Sequence, residues 1–114
     1  HLLDNGNLLV FHASAASSVV NEYEITESRE SLDVNEIWSY SDDEGAISLV
    51  LGDVQRLPNG NTLVVYSTEG KMHEVSPTGE LVQILQADPP AGTALYSDFG
   101  YANFRETLYG PPLR

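Results

Sequence analysis

Cysteine is absent from this chain. That excludes disulfides, thiol nucleophiles and zinc–thiolate centres. Small exported domains commonly depend on disulfides, so stability has to come from elsewhere, most simply from a larger packed assembly. Basic residues are scarce too: five Lys and Arg stand against 17 Asp and Glu, a formal net charge of −12. Such a surface repels phosphate backbones and anionic lipid, so no nucleic-acid partner and no membrane-surface role is expected. No run of about 18 apolar residues occurs, so no membrane insertion is expected either. The opening His1-Leu2-Leu3-Asp4 has neither a basic region nor a long apolar core, and no signal peptide is expected there. A sustained helical period is also missing, because the longest candidate, Ser31–Trp38, alternates and is β-branched.

What the chain does have is a globular balance, 41% hydrophobic and 19% charged residues over 114 positions, enough for about one domain. It also repeats itself. Asp4–Phe11 (DNGNLLVF) recurs as Pro58–Val65 (PNGNTLVV). Each copy is followed by a second apolar alternation, Val19–Ile25 and Lys71–Ser76, and then a third, Leu32–Tyr40 and Glu80–Ala87. The first copy carries the longer loops. Asn5-Gly6 and Asn59-Gly60 predict hairpin turns with φ > 0 at both turn positions. Glu69-Gly70 and Ser76-Pro77-Thr78-Gly79 predict further tight turns. One complete unit then has strands near Ser48–Leu57, Asn61–Ser67, Lys71–Ser76 and Glu80–Ala87.

Strand, turn, strand at this spacing predicts an all-β fold, a β-propeller fragment of about two four-stranded blades plus a closing strand. The expected divisions are a blade over 1–40 lacking its innermost strand, a blade over 46–88, and closing strands over 94–110 within the aromatic tail. A blade buries both sheet faces against neighbours, so two blades alone leave apolar faces and sheet edges open. The expected partners are the remaining blades, from the same polypeptide or from other protein chains in an oligomer. The incomplete first unit favours a cut polypeptide.

Gly52–Val64 (GDVQRLPNGNTLV) followed by Glu69–Val82 (EGKMHEVSPTGELV) resembles the blade repeat of the bacterial arylsulfotransferase family. So does Leu2–Phe11 followed by Asn21–Ile25 and Ile37–Tyr40. The closing Gly100–Pro112 (GYANFRETLYGPP) is similar to that family's C-terminal segment. The resemblance covers nearly the whole chain. It implies a six-bladed propeller with a central funnel, a periplasmic or secreted location, and sulfuryl transfer from a phenolic sulfate to a phenol without any cofactor. It also implies a histidine as transient nucleophile, with cationic groups balancing charge on the sulfuryl oxygens. The family histidine that stands before the NGN turn has no match near Gly52-Asp53, and Ser17-Ser18-Val19 fills the place of a family arginine.

Four residues are candidates for a site. His1, the best placed of the three histidines for a role in the funnel, is the candidate catalytic residue. His12, at a strand end, Asp53, at the start of an inner strand, and Arg105, in the tail, are candidates for binding a phenolic substrate. Each has a structural alternative: a chain end, a strand end, a turn cap and an inter-blade salt bridge. His73 lies between Met72 and Glu74 on an outer strand and is expected at the surface or as a cross-strand partner. Trp38 is expected as core packing or an outer-strand anchor. The three histidines have no metal-binding spacing, and the acidic run Ser41–Gly45 lacks the alternation of a calcium loop, so no metal is expected. A non-catalytic propeller module for binding or structural assembly is the alternative to an enzyme.

Overall fold

A computed structural model of the chain describes residues 1–13, 16–48, 51–87 and 104. The described part is all-β, with two antiparallel sheets and one short 3-10 turn. The first sheet has the order β1 (Leu8–His12), β2 (Val19–Glu27), β3 (Leu32–Ser41). The second has the order β4 (Gly52–Arg56), β5 (Thr62–Tyr66), β6 (Lys71–Val75), β7 (Leu81–Gln86). Among the described residues no helix is long and apolar enough to cross a membrane.

Each copy of the sequence repeat builds one sheet, in chain order, as tight turns between alternating strands require. The first sheet is not bare on its inner side. Leu2 bridges Leu8, and the His1 backbone nitrogen donates to the Leu9 carbonyl at 2.6 Å. The stub at His1–Leu3 thus runs where β4 runs in the other sheet. The expected closing strands over 94–110 lie outside the described residues, apart from Phe104.

The Asn-Gly turns differ in type from the expectation. Gly60 N donates to Leu57 O, Leu57 N donates to Asn61 O, and only the glycine has a positive φ, +88°. This is a three-residue loop, a type I turn closed by a left-handed glycine, rather than a two-residue turn with both φ positive. Pro58 presets the first turn position, and Asn59 Oδ1 accepts from Asn61 N at 3.0 Å. The same hydrogen bonds recur at Leu3–Asn7 and Ser76–Glu80.

The repeat extends to a second feature. In the first sheet Glu22 pairs with Trp38 and Tyr23 with Glu36, so Ile37 is bulged out. In the second, Glu74 pairs with Gln83 and Val75 with Leu81, so Val82 is bulged out. Both bulges follow a glutamate held by the asparagine that closes the preceding turn: Asn7 Nδ2 donates to Glu22 at 2.8 Å and Asn61 Nδ2 to Glu74 at 2.6 Å.

The sheets share one core. Leu9, Val20 and Tyr40 of the first meet Val54, Val64, Tyr66 and Val75 of the second, with Ala46 from the connection. Burial of each large apolar side chain is worth about 1.5–3 kcal/mol. Phe11 meets Tyr66 edge-to-face at 5.9 Å and 74°. The approach of β4 to β1 is close enough that a Cβ on Gly52 would lie 2.1 Å from a Phe11 ring carbon. Ser18 fastens the connection, with its Oγ accepting from Ser48 N at 2.8 Å.

The outer strands are uncovered. Leu81, Val82, Ile84 and Leu85 of β7 are 44%, 54%, 46% and 50% exposed. Leu32, Val34 and Ile37 of β3 are exposed as well.

Candidate functional site

Two of the four sequence candidates meet. The stub brings His1 beside β4, and His1 Nε2 lies 2.8 Å from Asp53 Oδ1. The two residues come from different repeat units. Asp53 is fixed in turn, because the same oxygen accepts from Val54 N at 2.8 Å. A carboxylate only accepts, so the proton on a neutral His1 ring sits on Nε2 and the Nδ1 lone pair stays available.

His1 also lines an open cleft of about 680 Å³ between the N-terminal stub and the end of β4, with Asp4, Gln55, Arg56 and Phe104 around it. Phe104 N donates to Gln55 Oε1 at 2.9 Å, which ties that point of the tail to β4. The cleft's guanidinium is already engaged: Arg56 Nη2 sits 2.5 Å from Glu22 Oε2. It also lies over the Trp38 ring at 5.8 Å, a cation–π contact. Burial alone would raise the Glu22 carboxyl, but the Asn7 hydrogen bond and the Arg56 guanidinium outweigh it and hold the group below the usual glutamate range.

The other candidates are elsewhere. His12 is exposed at the end of β1, with its Nε2 3.5 Å from Tyr23 Oη. Arg105 lies outside the described residues. Asp42, in the acidic run, accepts from Ala46 N at 3.0 Å and lies 3.9 Å from Lys71 Nζ. Among the described residues no group of three or more His, Asp or Glu side chains is placed to hold a metal ion.

His73 corrects an expectation. It is fully buried rather than on the surface. It does have a partner, but across the sheets: Tyr40 Oη lies 2.9 Å from its Nδ1. Its ring packs edge-on against Tyr66 at 4.9 Å and Tyr40 at 6.2 Å. The signal was present in the alternation, since His73 shares a strand face with Val75. The Arg56–Glu22 pair had no comparable signal, because nothing in either repeat unit says which face of its neighbour it meets.

No protein-family model matches the chain, and no curated protein or solved structure shows a significant match to it.

Proposed function

We propose that the chain forms two adjacent blades of a β-propeller. Further blades, from the same polypeptide or from other chains, pack on its uncovered faces. The finished funnel then transfers a sulfuryl group from a phenolic sulfate ester to a phenol, as in the arylsulfotransferases the sequence resembles. A periplasmic or secreted location goes with that reading. The observation that carries the chemistry is the His1–Asp53 contact at 2.8 Å, which joins the N-terminal stub to β4.

In this reading His1 is the nucleophile and Asp53 orients it. With Nε2–H held by the carboxylate, Nδ1 attacks sulfur; an N–S bond forms and the aryl O–S bond breaks. The phenolate leaves with the electron pair. The acceptor phenol then attacks sulfur, its proton passes to solvent, and the N–S bond breaks to restore the imidazole. The sulfuryl oxygens need cationic neighbours. Arg56 is committed to Glu22, so that charge comes from Arg105 or from further blades.

The test is the completed protein mixed with a nitrophenyl sulfate and a phenol acceptor, followed by nitrophenol release and by mass spectrometry for a sulfated histidine. Turnover that falls to background in His1→Ala is expected. No turnover, or turnover indifferent to that substitution, overturns the reading.

A second reading is a non-catalytic binding or structural module. It is favoured by the charge around the cleft, where Asp4 lines the wall, Asp53 holds His1 and Arg56 is neutralised by Glu22. A completed ring that assembles normally and is inert toward sulfate esters fits this reading alone.

A further inference from the structure

We propose that the Tyr40–His73 contact is an acid-sensitive clasp: a proton gained by His73 parts the two sheets. The clasp is independent of any chemistry at the cleft.

The geometry makes His73 intolerant of charge. A neutral ring needs one donor and one acceptor arrangement, whereas an imidazolium needs two acceptors. Nδ1 has the Tyr40 oxygen at 2.9 Å. Nε2 is buried and has no hydrogen-bond partner among the described residues. With Nδ1–H donated to the Tyr40 oxygen, a second proton would go to Nε2 and place a buried charged N–H where no described residue accepts it, the costly case.

The elements packed on this ring carry both signs of charge. Tyr40 on β3 and Tyr66 on β5 present neutral phenols. Ile84, its partner on β7, has none to offer. Asp42 and Glu44 after β3, and Glu69 in the 3-10 turn, favour the proton, and Lys71 opposes it. Lys71 Nζ already sits 3.0 Å from Glu69 and 3.9 Å from Asp42. Burial is the largest influence and holds the imidazole below its ordinary 6.5.

The sign follows. The unfolded chain binds the proton more readily than the folded one. The stabilisation is therefore complete above pH 6.5 and is lost progressively as pH falls below that value. This window is separate from that of Glu22 and Glu74, whose carboxyls are held below 4.5 and lose their contribution only beneath it.

The experiment is urea unfolding of the full chain at a series of pH values between 6.5 and 4.5, for the native sequence and His73→Gln. Glutamine keeps a polar group near Tyr40 but takes no proton. The native unfolding constant should rise with falling pH by up to about tenfold per pH unit, the limit for one proton. That of His73→Gln should stay level down to pH 4.5. An equal rise in both proteins, or a level native profile, overturns the clasp. Should His73→Gln fail to fold, imidazole NMR of the native chain decides the matter. Protonation of His73 coincident with loss of the folded spectrum supports the proposal. Protonation near pH 6.5 with the folded spectrum intact overturns it.

Discussion

Replacing Gly52 by alanine is expected to lower stability by about 1–3 kcal/mol, the usual cost of overpacking. The added methyl would overlap the Phe11 ring, whose nearest carbon is 2.1 Å from the Cβ position. Phe11 also meets Tyr66, the cross-strand neighbour of Gly52, edge-to-face, and a retreat would give up that contact. Combining Gly52→Ala with Phe11→Leu should recover part of the loss, and urea midpoints of the four proteins measure the coupling. Equal effects of Gly52→Ala in both backgrounds would show that the two residues do not share the space. At this scale the sequence was legible where one residue type has one local reason. The NGN turns were placed correctly because only a left-handed glycine closes them cheaply. Their type was not, because a type I turn followed by glycine and a primed turn use the same letters. His1 and Asp53 were both singled out, but their contact depends on the packing of one repeat unit upon the next.

The strands were legible as elements because each alternates between turn signals, and β6 and β7 fall within a residue of the expected limits. The bulges at Ile37 and Val82 were not, since a skipped residue leaves an apolar run looking unbroken. Each bulge turns its strand and breaks the simple in–out alternation; β7 is exposed along its whole length, so its apolar side chains stand uncovered on both faces. An uncovered edge strand of this kind invites pairing with another chain. Val82→Lys together with Leu85→Lys is therefore expected to abolish self-association of the isolated chain. The stability change should stay within about 0.5 kcal/mol, as for exposed positions generally. Sedimentation at increasing concentration reads the first effect and urea unfolding the second. A native chain that stays monomeric throughout would remove the reason for the substitutions.

For the molecule as a whole, stability should have an alkaline limit as well as an acid one. Burial, followed by the charges of Asp42 and Asp43, pushes Tyr40 up from 10 to about 12. Burial also pushes Tyr66 up. A phenol that resists ionisation when folded contributes fully below pH 10, and that contribution is lost as pH rises from 10 toward 12. The urea midpoint should fall in that interval, in step with the ultraviolet signal of tyrosinate. Tyr40→Phe should flatten part of the fall. Tyrosinate appearing near pH 10 in the folded protein would contradict the burial of these rings. The two-sheet organisation was readable from the repeat, whereas the polar face between the sheets was not. Glu22 and Arg56 each look like ordinary surface letters within their own strands, and they meet only when the neighbouring sheet is present.

Trp38 is the chain's single tryptophan. It meets both the Tyr40 ring, near-parallel at 6.4 Å and 14°, and the Arg56 guanidinium of the other sheet. Its fluorescence consequently reports one place only, the seam. Quenching by a water-borne solute would rise when that seam gapes and ignore fraying at the outer edges, so the joint carries its own optical gauge without any added label.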